Sequence, residues 1–350
     1  MITPDNIIDS IKNGSSDHYL TISQAQKLPY FIAFERALPT FATVFKGNDF
    51  NKWATEKMLV SKKFDQKQFI QYAVEASAVR YFADNFKKEF TTEAKINPQN
   101  KKDVDIRFKL NGFVYNIEVK CPRFDEKENV ESQQNVIKIS TFGRVDDLQE
   151  EREFLVDIIN EGLKKQGKTV KNGVLTKNMD NNLKDFLINA NEKFNPSPAD
   201  NEINLLLVGC GDAEDIQKWF DYLYAYEGLF TSESFCSQAS YDNVDGVILT
   251  DQYYRHRNYN FQEILNYWTL QNCFNLILPN PYSKRKEVIK KGICGLISTM
   301  SNFTKEFAEF YSGFVKNDAF QSRVIPYFIR HLAKSNPNLM VLLNESDKQS

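Results

Sequence analysis

The stretch DVDIRFKLNGFVYNIEVK, residues 103–120, decides the fold. Apolar residues occupy every second position over 104–110 and again over 113–119, which is the period of half-buried β-strands. The two runs are joined by Asn111-Gly112, a strong hairpin signal because both residues tolerate the positive φ of a type I′ turn. The sequence therefore predicts an antiparallel hairpin with one apolar face.

A two-residue turn fixes the register of that hairpin. The apolar face then holds the pairs Leu110–Phe113, Phe108–Tyr115, Ile106–Ile117 and Val104–Val119, and the polar face holds Arg107–Asn116, Asp105–Glu118 and Asp103–Lys120. Carboxylates directly opposite each other repel. We therefore expect a cation between Asp105 and Glu118.

A hard divalent ion such as Mg²⁺ suits this position, because it takes oxygen ligands and leaves other positions to water and phosphate. Lys120 lies on the same face and can act on a metal-bound water or on the charge of a phosphorane-like transition state. The alternative is an ordinary solvated face with Asp103–Lys120 as a surface ion pair. That alternative leaves Asp105 against Glu118 unexplained.

These residues resemble the motif of the PD-(D/E)XK nuclease superfamily, with Glu118-Val119-Lys120 as its Glu-x-Lys element and Asp105, or alternatively Asp103, as its other acidic residue. Lys102 stands where the family name has proline. The resemblance implies that Asp105, Glu118 and the Val119 carbonyl bind Mg²⁺, for which Mn²⁺ can substitute. It also implies that Lys120 acts on the attacking water.

Glu75 is a further candidate catalytic residue. It lies on the apolar stripe of a long helix predicted over 66–89, where a carboxylate is costly unless it is paired, hydrogen-bonded or bound to a metal. The resemblance places such a glutamate in the metal shell. A salt bridge to Arg or Lys, or exposure at a helix end, is the alternative.

The predicted fold class is α/β. The resemblance implies a restriction-endonuclease-like αβββαβ core with a mixed central sheet, plus helical N- and C-terminal decorations. We expect a helical region over 1–62, a nuclease-like domain over 63–300 with an insertion around 123–202, and C-terminal helices and a tail over 301–350. Within the insertion, a helix over 146–165 is predicted to bury an apolar face that includes Phe154, Leu155, Ile158 and Ile159.

Two basic runs are candidate substrate contacts. Arg255 and His256 follow two tyrosines, a combination that suits base stacking and phosphate contact, and Lys284 and Arg285 lie in the densest basic run. A solvated loop and a charged helix face are the plainer interpretations of these two runs.

Composition limits the fold and the function of the chain only broadly. The chain has 350 residues, of which 42% are hydrophobic, so it can bury a large core. A formal charge of −2 excludes a globally basic nucleic-acid binder but leaves room for a local basic groove. The five cysteines lack metal-ligand spacing, which favours reduced thiols in the cytoplasm. The sequence shows no membrane span and no signal-peptide pattern.

The resemblance implies a metal-dependent nuclease acting on DNA, with RNA not excluded, and an endonuclease in restriction, phage defence or repair. Many such enzymes act as homodimers, so a homodimer is expected as well. The alternative is a catalytically silent nucleic-acid-binding or scaffold protein on the same fold. A small-molecule phosphohydrolase is disfavoured, because no phosphate-cradling glycine loop accompanies the carboxylates.

Overall fold

The computed structural model describes residues 1–87, 89–139, 149–175, 178–211, 213–262, 264, 266–271, 273–285, 291–293 and 296. The expected C-terminal helices and tail at 301–350 lie outside these residues. In the part of the chain described, no helix is both long enough and apolar enough to cross a membrane.

Helices surround the sheet and fill the N-terminal region. They are α1 (Ile7–Lys12), α2 (Tyr19–Ala25), α3 (Pro29–Val44), α4 (Asn48–Lys52), α5 (Gln66–Asn85), α6 (Asp125–Glu131), α7 (Gln149–Lys165), α8 (Asp180–Lys193), α9 (Ala213–Tyr224) and α10 (Gln252–Arg257). A π-helical turn, Trp53–Lys57, continues α4, and Gln238–Ser240 forms a 3₁₀ turn.

The strands form one large sheet and one small sheet. They are β1 (Thr91–Ala94), β2 (Val104–Leu110), β3 (Phe113–Lys120), β4 (Val136–Ile139), β5 (Asn172–Leu175), β6 (Glu202–Gly209), β7 (Gly246–Thr250) and β8 (Asn275–Pro279). The central sheet has the order β1-β2-β3-β6-β7-β8, while β4 and β5 pair separately in parallel. Strands β3, β6 and β7 run parallel, and the other neighbours are antiparallel. The protein is therefore mixed α/β, as predicted.

The hairpin forms in the predicted register. Pairing runs from Ile106–Ile117 to Leu110–Phe113, and Asn111 and Gly112 take φ values of 51° and 82°. The apolar face packs on α5, where Phe108 stacks on Phe82 and Phe86 with ring centroids 4.8 and 4.5 Å apart. This packing leaves Asp105 and Glu118 on the opposite side of the hairpin.

The continuous apolar runs at 203–208 and 244–249 belong to β6 and β7, both fully buried. Strand β8 was not predicted. The aromatic and basic run at 253–257 belongs to the buried helix α10 and not to a loop.

The N-terminal helices share a continuous core with the sheet. Trp268 is the centre of this contact, with the rings of Tyr30 and Phe34 at centroid distances of 5.2 and 5.0 Å. Helix α3 and the π-helical turn also contact α5, and that turn brings Lys57 next to Glu93 of the edge strand β1.

One packing prediction is wrong. Helix α7 contacts β5 through a narrow side that includes Val156 and Asn160, whose amide bonds both backbone groups of Lys171. Its large apolar residues point away from that contact and are exposed: Phe154, Leu155, Ile158 and Ile159. A helical apolar stripe can pack on a core or on a partner, and periodicity alone does not distinguish them.

Candidate active site

Asp105 and Glu118 come together where β2 begins and β3 ends. Asp105 accepts a hydrogen bond at Oδ2 from the backbone N–H of Val119, over 2.6 Å. Glu118, the neighbour of Val119, is completely buried. The two carboxylates predicted to face each other are therefore neighbours, and one of them is cut off from water.

Two lysines neutralise Glu118. The Nζ atoms of Lys120 and Lys193 each lie 2.6 Å from Glu118 Oε1. Both carboxylate oxygens are buried and accept no hydrogen bond of good geometry from the described residues; Oε1 has the two ion pairs, and Oε2 has no ion pair there either. A buried carboxylate oxygen without a donor is costly, and a metal ion is one of the few groups that satisfies it.

The pKa of Asp105 also indicates a position that suits a cation. Burial is the largest cause that raises the pKa of Asp105 well above its usual value, followed by the negative charges of Glu118 and Glu75. The charge of Lys193 and the hydrogen bond from Val119 oppose this shift without cancelling it. Burial is thus the main cost of ionising Asp105, and an added cation at the carboxylate would offset that cost.

Sequence reasoning missed Lys193. This residue ends α8, inside the predicted insertion, and no local pattern distinguishes it from the other lysines of that segment. Burial lowers its pKa, but the charges of Asp105, Glu118 and Asp103 outweigh that effect and leave the pKa above its usual value. Lys193 is therefore a charged member of the site.

Glu75 lies near the site but is already paired. Its Oε1 is 2.7 Å from Nζ of Lys57, and the same ammonium is 3.5 Å from Oε1 of Glu93. The salt bridge considered as an alternative for Glu75 is thus observed. Burial lowers the pKa of Lys57, but the charges of Glu75, Glu93 and Asp105 raise it further than burial lowers it.

Glu93 adds an unusual backbone feature beside the site. It is a non-glycine residue with φ of 50° inside β1, between the pairs Thr92–Ile106 and Ala94–Val104, so it lies alongside Asp105. Strained backbone of this kind concentrates at functional sites. In the sequence, Glu93-Ala94-Lys95 is also a Glu-x-Lys pattern, but no predictable turn places an acidic residue opposite it.

The structure also separates the two candidate aspartates. Asp105 is the one whose carboxylate lies against β3 beside Glu118, whereas Asp103 acts through its charge on Lys193. The resemblance left both open, and the geometry favours Asp105.

Arg255 and His256 do not reach this site or the surface. Arg255 is buried and pairs with Asp251 over 3.0 Å. His256 lies between the Tyr30 hydroxyl, 2.9 Å away, and the Ser77 hydroxyl, 2.8 Å away, and burial lowers its pKa to about 3. The prediction that Arg255 and His256 contact substrate is wrong, because both are structural groups of the core.

Lys284 and Arg285 lie at the other end of the sheet. Lys284 is exposed and pairs with Asp242 over 2.9 Å, while Arg285 pairs with Asp245 and donates to the backbone carbonyl of Glu202. Glu202 starts β6, whereas Lys120 is in register with Val208 near its end. The structure therefore does not bring these two basic residues to the carboxylates.

The oxygen donors present fit a magnesium ion. Among the residues described, no three His, Cys, Asp or Glu side chains are close enough to hold a metal ion together. Mg²⁺ does not require three, because it commonly uses one or two carboxylates and keeps several waters. The Val119 carbonyl is a third donor: its N–H faces Asp105, and the N–H and C=O of one strand residue point to the same edge.

Comparison of the chain with protein-family models, with curated proteins and with solved structures gives no significant match in any of the three. Function is therefore inferred from the geometry and charge of the site.

Proposed function

We propose that this protein is a Mg²⁺-dependent nuclease that hydrolyses phosphodiester bonds in DNA. The observation that supports this best is Glu118: a completely buried carboxylate beside Asp105, with one oxygen held by two lysines and the other without a donor. Paired carboxylates, free oxygen donors and adjacent ammonium groups suit metal-assisted attack on a phosphate diester.

Asp105, Glu118 and the Val119 carbonyl would hold the ion, which would supply Lewis-acid polarisation of the phosphoryl oxygen and an activated water. Lys120 is partly exposed and lies beside Glu118, so its ammonium can orient the attacking water or stabilise charge on the phosphate. Lys193 approaches the same carboxylate from α8 and adds a second positive charge. Glu75, held by Lys57, supports the site through its charge.

The order of elements agrees with the family resemblance. Helix α5, strands β1 to β3, helix α8 and strand β6 occur in the order αβββαβ once α6, β4, α7 and β5 are set aside. Helix α8 itself lies within the segment predicted as the insertion, so this proposal shortens the insertion to the part before α8. We therefore propose a restriction-endonuclease-like core. On the strength of that resemblance alone, we propose DNA rather than RNA as the substrate. On the same ground we propose an endonuclease of restriction, phage defence or repair.

The test is cleavage of supercoiled plasmid and of single-stranded DNA in Mg²⁺ or Mn²⁺. We expect wild-type cutting that EDTA abolishes. Asp105→Asn, Glu118→Gln and Lys120→Ala should each lose at least about 100-fold in rate, since each removes a group placed at the reacting centre. Circular dichroism and thermal unfolding verify that every variant is folded.

Two matched controls lie on the same hairpin. Lys109→Ala removes an exposed lysine that pairs with Glu89 over 2.8 Å, and it should leave cleavage unchanged. Asp103→Asn should retain most of the activity if Asp105 is the ligand. Folded wild-type protein that binds DNA but cuts neither DNA nor RNA with either metal ion would contradict the proposal and favour a binding protein.

A further inference from the structure

The exposed apolar stripe of α7 is the largest concentration of unburied hydrophobic side chains in the described residues. Phe154, Leu155, Ile158 and Ile159 are 65, 46, 51 and 42% exposed. They lie at i, i+1, i+4 and i+5 and so form one face of the helix. Soluble proteins seldom leave such a continuous patch open unless it is a contact surface.

The helix is already anchored through its other side. Val156 packs against Gly173 of β5, and Asn160 bonds both backbone groups of Lys171. The stripe is therefore not needed to hold α7 in place.

The charges at the two ends of the stripe are complementary to each other. Glu151 lies one turn before Phe154, and Lys165 lies two turns after Ile158, both on the exposed face. Neither has an ion-pair partner in the described part of the chain. A copy of α7 laid antiparallel across the stripe would place each Glu151 beside the Lys165 of the other copy.

We propose that α7 is the contact between two copies of this chain, paired antiparallel about a two-fold axis at Ile158. In that register Ile158 meets its own counterpart, and Phe154 lies over the partner's Gly162. Gly162 suits this role, because nothing lies within 4 Å of the position that a Cβ would take there. An isologous pairing of this kind closes on itself and yields a dimer, not a filament.

The contact rests on one helix from each copy, about 25 Å long, so its area is at the low end for protein interfaces. We expect a dimer that dissociates in the micromolar range, roughly 1–50 µM. This inference does not depend on the proposed nuclease activity, because it uses a surface made by α7 alone.

The test is sedimentation equilibrium of the full chain from about 1 to 100 µM. Wild type should convert from monomer to dimer. Ile158→Arg, which places two like charges on the axis, should weaken association at least tenfold, and Tyr226→Arg, at an exposed aromatic outside α7, should not. Both substituted positions are exposed, so folding is expected to be unaffected.

A charge exchange tests the antiparallel register. Glu151→Lys and Lys165→Glu should each weaken the dimer, because each creates a like-charged pair across the axis, and the double variant should recover the wild-type constant. A wild-type monomer at about 100 µM, a dimer that Ile158→Arg leaves intact, or a double variant no tighter than the single variants would each overturn the proposal.

Discussion

Replacing Lys120 and Lys193 by methionine, singly and together, measures how Glu118 is tolerated in the interior. Methionine keeps most of the length of each side chain and removes its charge. Because both ammonium groups bind the same oxygen of Glu118, either one alone still neutralises the carboxylate. The two substitutions are therefore expected to be strongly non-additive.

The expected losses of stability follow from how deeply the two lysines and Glu118 are buried. Lys120 and Lys193 are 28 and 19% exposed, whereas Glu118 is 0% exposed. Losing one lysine should cost about 1 kcal/mol, near the upper limit for a partly exposed ion pair. Losing both leaves a buried, uncompensated charge beside Asp105, for which about 3–5 kcal/mol is typical. The coupling energy should then be about 1–3 kcal/mol.

The assay is urea unfolding at pH 7.5 in EDTA, for wild type, both single variants and the double variant, with Lys109→Met as the matched surface control. Mg²⁺ in excess should recover part of the loss in the double variant, because the ion replaces the missing positive charge. Additive losses within about 0.5 kcal/mol would refute the reasoning, since they would mean that each lysine acts independently of the other.

Two further predictions concern pH. Since burial and then Glu118 raise the pKa of Asp105, this carboxyl stabilises the metal-free fold most when it is protonated, and its contribution to stability declines as pH rises from about 4 through the raised native pKa. Asp105→Asn should remove this contribution and so reduce the decline with pH, to which Asp221 and Asp245 also contribute because burial raises their pKa values to about 7 and about 6. The variant should melt higher than wild type at pH 7.5 in EDTA, and a lower melting temperature would contradict the assignment. For His256 the sign is reversed: burial lowers its pKa to about 3, so the contribution of this residue to stability falls as pH falls from about 6.5 towards 3, opposite to the contribution of Asp105. His256→Asn should flatten that part of the urea-derived stability profile, and an unchanged slope would show that His256 does not titrate with folding.

The hairpin could be predicted because its information is local. Asn111-Gly112 specifies the turn, the turn specifies the register, and the register places Asp105 beside Glu118. The same applies to β6 and β7, whose continuous apolar runs are typical of strands covered on both faces.

The other members of the site could not be predicted, because tertiary packing brings them in. Lys57 arrives from the turn after α4, and Lys193 from the end of α8, on the far side of an insertion. Nothing in the sequence near either lysine differs from a solvated helix end. Glu75 could be placed near the site by its helical face, but its pairing with Lys57 could not be foreseen.

The two basic runs show why composition alone misleads about substrate contacts. Arg255 and His256 looked like groups for phosphate and base, yet each is buried with a specific partner: Asp251 for the arginine, and Tyr30 and Ser77 for the histidine. A buried arginine requires an acid, and Asp251 lies at i−4 on the same helical turn, so this pair was visible in the sequence.

A charged residue in an apolar segment should therefore be examined for a nearby residue that could pair with it. For Glu118, the described residues offer no complete set of partners, because two lysines share one of its oxygens and its second oxygen lacks a donor among them. This difference separates a structural ion pair such as Arg255–Asp251 from a candidate metal ligand.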